Sequence, residues 1–456
     1  MNARTLLRSL APLLLCALSG VLLALAMPPR DISFLGWFAI APLLVACRRT
    51  RSPLTAAGCG IVTAAICGGV LAGRPETPQQ LGNMAGAFGG LALVLAFVAG
   101  FGRWTANRMN PLLWPLFIAC AGVTAEMLSV FVFPVNLALT QHTTPGALAL
   151  ASYTGIWGVS FALWFVSATV SGPKLALPML LAAAVLVAGM QFARLPQESG
   201  TRLAVAAIQA PDPYNAFDET LKVPSGTRIV VWPEHTMHPD QKQPFSAAKK
   251  KELYVVASFL RPANATKPYN TACVIGPDGA MLGEFRKQRL FGVEKYGCSV
   301  GEHRRPLKCD GFMAGPAICF DTQATGVIRR LVRDGADIVF VGSNDPEAPN
   351  AAFNHLHTAT VAFRAAENGV PIVSAECACM STVFDGHGKV LAQSREHANA
   401  VVFANATLRR GTTVFTRTGD WFAYLCAAAM ALWVVLCVRA RRREALPDAG
   451  YDSRRT

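Results

Sequence analysis

Three polar residues stand where short apolar runs end, and their types suit acyl chemistry at a thiol. Glu234 follows Val230-Val-Trp-Pro, Lys287 follows Glu284-Phe-Arg, and Cys319 follows Ala314-Gly-Pro-Ala-Ile. A cysteine attacks a carbonyl as its thiolate, so it needs a base, and a carboxylate such as Glu234 can serve. The tetrahedral oxyanion then needs donors, which a lysine and a backbone N–H supply. Glu294, seven residues beyond Lys287, is spaced to hold that lysine charged. Singly, each has a plainer reading: a loop acid, a surface cation beside Arg286 and Arg289, a buried apolar thiol. The ordered set, each member at a strand end, carries the weight.

Those ends belong to a region of soluble-domain composition, residues 196–413. Runs at 203–209, 228–232, 254–259, 271–275, 281–285, 312–318, 337–341, 370–374 and 381–384 read as strands, followed by 389–392 and 400–403. Residues 323–333 and 353–367 have helical period. Pro277-Asp278-Gly279 turns one strand into the next as a hairpin. This order predicts a mixed sheet with helices packed outside it, in one layer of sheet or two.

The rest of the chain is apolar. Of 456 residues, 52% are hydrophobic and 15% charged, with a mean hydropathy of +0.34. A soluble protein is about 25% charged. A disordered or collagen-like chain and a single small soluble domain are excluded. Apolar runs at 6–26, 34–46, 54–71, 84–101, 112–131, 148–170, 175–192 and 421–438 reach or approach the roughly 20 residues that cross a bilayer. They predict a membrane α-helical bundle of about eight spans. The expected domains are 1–195 (seven spans), 196–413, a last span at 414–440 and a basic tail at 441–456.

Lys and Arg number 42 against 28 Asp and Glu, a net charge of +14. Arg4 and Arg8, Arg48, Arg49 and Arg51, Arg103 and Arg108, Lys174, and Arg439 with Arg441, Arg442 and Arg443 fall in alternate connections, while the other short connections hold only Arg30 and Arg74. The positive-inside rule then places both termini in the cytoplasm and 196–413 outside. The excess charge reads as topology, with no nucleic-acid partner. The first run reads as an anchor, since no small-x-small cleavage site precedes Met27-Pro28-Pro29.

Glu234 in Trp-Pro-Glu, Lys287 after a Pro-Asp-Gly hairpin, and Cys319 in Ala-Ile-Cys-Phe-Asp resemble the Glu-Lys-Cys triad of the nitrilase (carbon–nitrogen hydrolase) superfamily. Seven spans before such a domain and one after resemble the apolipoprotein N-acyltransferases over nearly the whole chain. The segments Ser33-Phe-Leu-Gly-Trp-Phe-Ala-Ile-Ala-Pro-Leu-Leu44, Phe133-Pro-Val-Asn-Leu-Ala-Leu-Thr-Gln141, Gly155-Ile-Trp-Gly-Val-Ser-Phe161, Ser343-Asn344-Asp345, Arg364-Ala-Ala-Glu367 and Arg417-Thr-Gly-Asp420-Trp421 are similar to that family's. The resemblance implies an αββα sandwich outside the membrane and a bacterial inner-membrane location. It implies Glu234 as base, Cys319 as the nucleophile that forms a thioester, and Lys287 with the Phe320 N–H at the oxyanion. Glu294 would be the supporting acid. A fatty acyl chain would move from phospholipid to the N-terminal amine of a lipoprotein, with no cofactor and no metal.

Several departures bear on this. Asp321 stands where the family usually has Glu, and Phe320 where Tyr is frequent. The stretches between the three residues are short, and 346–350 lacks the family's Trp-Phe-Gly. The chain also resembles conjugal-transfer membrane proteins with a nitrilase-like domain. The alternatives are therefore a nitrilase-like amidase or a weakly catalytic accessory protein of conjugal transfer.

Of 13 cysteines, Cys298 and Cys309 make a plausible disulfide, and Cys377-x-Cys379 a plausible trap for Cys319, with free buried thiols equally open. His355-x-His357 lacks the i,i+4 spacing of a zinc motif and reads as helix surface or packing. Asn264-Ala-Thr266 fits a glycosylation acceptor by pattern alone. Glu126, within an apolar run, should face protein or a polar cavity. No phosphate-binding loop is present, which argues against an ATP-driven transporter.

Overall fold

A computed structural model describes residues 3–72, 78–106, 108–129, 135–172, 177–192, 200–235, 237–238, 240–261, 267–292, 294–345, 352–409 and 411–444. Arg74, Phe133, Lys174, the 264–266 acceptor pattern, 346–350 and the tail from 445 lie outside the described residues.

Among the described residues, twelve strands build the region after the helical bundle. They are β1 (Arg202–Gln209), β2 (Ile229–Val231), β3 (Tyr254–Arg261), β4 (Tyr269–Ile275), β5 (Met281–Arg286), β6 (Leu307–Cys309), β7 (Phe312–Ile318), β8 (Ile338–Ser343), β9 (Ile372–Glu376), β10 (Thr382–Phe384), β11 (Val390–Gln393) and β12 (Ala400–Thr407). They form two six-stranded sheets, ordered β12-β1-β2-β3-β4-β5 and β11-β10-β9-β8-β7-β6. In each, three central strands are parallel: β1, β2 and β3 in one, β7, β8 and β9 in the other. Successive side chains of a strand point to opposite faces. Accordingly, Val205 and Ala207 of β1 join the core that includes Phe340 and Val373 of the second sheet. Ala206 and Ile208 instead join Ala216 and Ala247, from the helices Pro213–Leu221 and Gln243–Lys251. The helices Thr325–Arg333 and Ala352–Asn368 pack on the second sheet. The mixed sheet thus resolves into two layers flanked by helices.

The two sheets approach closely where β2 and β8 end. A Cβ at Gly342 would stand 2.6 Å from the Trp232 carbonyl oxygen, closer than side chains tolerate. Glycine there lets the Glu234 N–H donate to the Ser343 carbonyl at 3.2 Å. This contact carries Glu234 from the first sheet to the working end of the second.

The eight-span bundle is not what forms. Among the described residues, two helices are long and apolar enough to cross a membrane, Pro53–Ala72 and Met84–Thr105. A third crossing arises only if the pair Pro145–Thr154 and Ile156–Val170, bent by 119°, counts as one. At the runs 34–46 and 112–131 length fails. The run at 34–46 breaks into Ser33–Gly36 and Ala41–Arg49, and the run at 112–131 yields Trp114–Ser129. A helix rises only 1.5 Å per residue, so such pieces fall short of a core about 30 Å thick. The alternation of basic connections loses its count of crossings with them.

Gly155 sits at the bend with φ +69°. There the Ile156 N–H donates to Glu367 Oε1 at 2.8 Å, and Trp157 Nε1 donates to Asp420 Oδ1 at 2.7 Å. Glu367 ends the helix Ala352–Asn368, which is apolar on two sides. Its Leu356, Ala359 and Phe363 join the core of the helical bundle, and its Val361, Ala362 and Ala365 join the sandwich core. Glu126 faces protein, accepting from Asn136 Nδ2, the Leu137 N–H and Trp164 Nε1.

Candidate active site

The ends of β2, β5, β7, β8 and β9 converge on Cys319. This residue follows β7 and opens the 3-10 turn Cys319–Gln323. Its φ is +42°, in the left-handed region that non-glycine residues avoid. Such strain persists only where the surroundings hold it, and it collects at functional sites.

Asp321 holds this turn against the Lys287 loop. Its Oδ1 accepts from the Gln288 and Arg289 N–H groups at 2.9 and 2.8 Å, and its Oδ2 from the Ile318 N–H at 3.2 Å. Three backbone donors explain a short acid at this position. Phe320 packs its ring 4.9 Å from that of Phe291, at a 39° tilt.

Lys287 is buried, and its Nζ lies 2.7 Å from Glu234 Oε1 and 2.8 Å from Glu294 Oε2. Asn270 Nδ2 donates to both carboxylates, at 2.5 and 2.9 Å. Burial works against the Lys287 charge, but Cys319, Glu234 and Glu294 outweigh it and hold the ammonium above the ordinary lysine range. Burial raises Glu234, while Glu294, nearer solvent, is pulled down by Lys287 against its own burial. Glu294 therefore carries the standing countercharge.

The expected enzyme, an acyltransferase built on a Glu-Lys-Cys triad, needs correction here. The cluster at the cysteine is Cys319, Asp345 and His357, all buried, with Sγ, a carboxylate oxygen and a ring nitrogen within 4.8 Å of one another. Glu234 and Lys287 are instead bonded to each other. His357 is neither helix surface nor simple packing. Its Nδ1 lies 2.8 Å from Asp345 Oδ2 and its Nε2 2.7 Å from Thr322 Oγ1, while Thr322 Oγ1 donates to the Cys319 carbonyl at 2.9 Å. With that hydroxyl proton committed, Nε2 donates to Thr322 and Nδ1 donates to Asp345, which describes an imidazolium. Asp345 indeed raises the His357 pKa, against the effect of burial. Glu376, at the end of β9, lies behind Asp345, and burial raises its carboxyl well above the usual range. Sequence spacing gave no sign of Thr322, Asn270 or Glu376, and the order Ser343-Asn344-Asp345 was the one pointer to Asp345. His355 pairs with Glu396 at 3.0 Å. Cys298, Cys309, Cys377 and Cys379 are free thiols.

Burial pushes the Cys319 thiol well up, Lys287 pulls it down, and Glu234, Asp345 and Glu376 push it further up. The resting residue is a thiol that must lose its proton during attack.

These shifts set a pH dependence of stability. Burial raises Asp321 to about 7, Glu234 and Glu376 are raised, and so is His357. The folded chain therefore binds more protons than the unfolded one, and stability falls with rising pH. Each contribution is complete below the unfolded pKa, about 3.9–4.3 for the acids and about 6.5 for histidine. It is lost as pH rises through the folded value. Glu294 acts oppositely, but its contribution is already complete above its unfolded pKa of about 4.3, and His235, lowered by burial, opposes the trend only up to its unfolded pKa of about 6.5. The thermal midpoint in detergent micelles should fall between about pH 5 and about pH 8. Asp321→Asn should flatten the part near neutrality, and a midpoint that climbs over this interval would refute the assignment.

Comparison with known proteins finds two family matches. Residues 223–414 match the carbon–nitrogen hydrolase family, and residues 19–169 match the apolipoprotein N-acyltransferase N-terminal domain. The chain joins an apolipoprotein N-acyltransferase-like N-terminal domain to a carbon–nitrogen hydrolase domain. The apolipoprotein N-acyltransferase of Geobacter metallireducens is 27% identical, over 94% of this chain and 95% of that protein. The 2-oxoglutaramate amidase of Bacillus subtilis is 27% identical over 32% of this chain and 59% of that one. Among solved structures, Saccharomyces cerevisiae Nit3, a member of branch 10 of the nitrilase superfamily, is 21% identical, with a TM-score of 0.40 over 46% of this chain and 93% of that one. By the two family matches, a carbon–nitrogen hydrolase region of nitrilase type is fused to an apolipoprotein N-acyltransferase-like helical part.

Proposed function

We propose that this chain is a membrane-anchored thiol hydrolase of amide bonds that works through an acyl thioester on Cys319. The observation that carries the reading is the strained thiol, set beside two buried cations, Lys287 and His357. Cys319 Sγ attacks the carbonyl carbon as Asp345 takes the thiol proton. Apo contacts of this kind are often long and tighten when substrate binds. Lys287, positioned by Glu234 and Glu294, stabilises the oxyanion together with the Phe320 N–H. The C–N bond breaks, the amine leaves with the proton from Asp345, and water then hydrolyses the thioester.

Charge placement supports an outer position for the hydrolase domain. The helix Ile156–Val170 is about 22 Å long by its rise per residue. Its first residue meets Glu367 of that domain, and Arg48 Nη1 donates to Ser171 just past its last. Arg103 Nε donates to the Thr50 carbonyl at the same basic end. If the bent pair Pro145–Thr154 and Ile156–Val170 is one crossing, the positive-inside rule makes that end cytoplasmic.

The full-length likeness to the Geobacter protein favours a second reading, in which the thioester waits for an amine. Phospholipid would then be the donor and a lipoprotein N-terminus the acceptor. The two part at one product. Full-length protein in micelles is given a fluorogenic acyl amide, and separately phospholipid with a diacylglyceryl-cysteine peptide. Release of free acid from the amide supports hydrolysis. N-acylated peptide without acid release would overturn it in favour of transfer.

A further inference from the structure

We infer that Cys319, Asp345 and His357 form a binding site for a borderline-soft divalent cation of the zinc type, which caps the thiol. The donor set is one sulfur, one imidazole nitrogen and one carboxylate oxygen, all buried and mutually within 4.8 Å. Zinc binds these at about 2.3, 2.0 and 2.1 Å, so its ligands stand roughly 3.3–3.7 Å apart in tetrahedral geometry. The contact of 2.8 Å between His357 Nδ1 and Asp345 Oδ2 would open by a few tenths of an ångström as the ion replaces the proton between them.

The surroundings match what orients such ligands. A metal-bound histidine usually donates its other ring N–H to a fixed acceptor. Here Nε2 has Thr322 Oγ1 at 2.7 Å, itself tied to the Cys319 carbonyl. Glu376 stands behind Asp345, its Oε2 accepting from the Asp345 N–H at 3.4 Å. Three protein ligands leave the fourth position to water, the arrangement of an open zinc site. Binding is a proton exchange with no redox step. The ion displaces the Cys319 Sγ proton and the proton shared by Asp345 and His357, and both pass to solvent. Burial alone disfavours the thiolate, but a bound dication inverts that balance.

The cation occupies the electron pair that would attack a carbonyl, so the occupied protein cannot form a thioester. The inference uses the cluster and not the proposed reaction. Metal protection and acyl-enzyme formation are read separately, and either can fail while the other stands.

The test uses full-length protein in detergent micelles. Iodoacetamide alkylation of Cys319 is followed by peptide mass spectrometry at set free zinc, with Cys298 as internal reference. Zinc should slow alkylation of Cys319 at least about tenfold, reversibly with EDTA, and His357→Gln and Asp345→Asn should each weaken the apparent zinc affinity about tenfold or more. In case those variants fold poorly, cobalt provides a second measurement on the wild-type chain. A thiolate-to-cobalt absorption band should appear and be absent from Cys319→Ser. Unchanged alkylation of Cys319 with zinc, undiminished protection in both variants, or a cobalt band that survives Cys319→Ser would overturn the site.

Discussion

Cys319→Ala should leave a folded protein that forms no acyl-enzyme. The change removes one sulfur from a turn held by other bonds: Asp321 to three backbone amides, and His357 to Thr322 and Asp345. Alanine bears the same left-handed backbone strain as cysteine, so the turn gains none. Deleting a small buried atom group costs about 1 kcal/mol, well inside ordinary stability. The chemical loss is of another order. Removing a covalent nucleophile lowers turnover by roughly a millionfold, since the remaining groups cannot form the intermediate. Two readouts separate these effects: the thermal midpoint in micelles and labelling by a mechanism-based acyl probe. Full labelling of the alanine variant would end the thioester mechanism. A collapsed midpoint would instead show that the sulfur serves packing.

Lys287→Met should be the most destabilising single change at the site. Methionine keeps most of the length of the side chain and removes the charge. Lys287 is 2% exposed and bridges Glu234 and Glu294 at 2.7 and 2.8 Å. Its loss leaves two carboxylates close together, one of them deeply buried, with no cation between them. Breaking a buried ion pair from one side costs about 3–5 kcal/mol. The remedy identifies the cause. Glu234→Gln added to Lys287→Met should recover a measurable part of the stability, because it removes the stranded charge. The single variant should also regain midpoint as pH falls and Glu234 takes up a proton. If Lys287→Met unfolds within about 1 kcal/mol of wild type at neutral pH, the network is solvent-relaxed and the lysine cannot be the fixed positive charge at the oxyanion.

Part of this site is legible in the chain because it is local. A strand closed by Pro233 presents the next residue, Glu234, at its end. The Pro277-Asp278-Gly279 turn fixes β4 against β5, with Thr271 opposite Arg286 one residue before Lys287. The run ending at Ile318 places Cys319 just past the end of a parallel strand. Each of these follows from period, turn residues and the point where an apolar run stops.

What stands beside Cys319 was not local. Asp345 lies on the next strand's end, His357 on a helix beyond it, and Glu376 on the strand after that. Only the pairing of β7 with β8 and β8 with β9 brings them to one place. His357 has no spacing signal, because its partners come from two other elements. Hydropathy misled for a related reason: an average over a run registers composition and is blind to the backbone break at Gly155 or to an apolar helix packed inside protein. The sequence by itself determined the strand ends, the cysteine proposed here as nucleophile and a membrane-associated helical part. The tertiary structure alone decided which charges meet the thiol and how many helices are long enough to cross, because both depend on contacts between residues far apart in the chain.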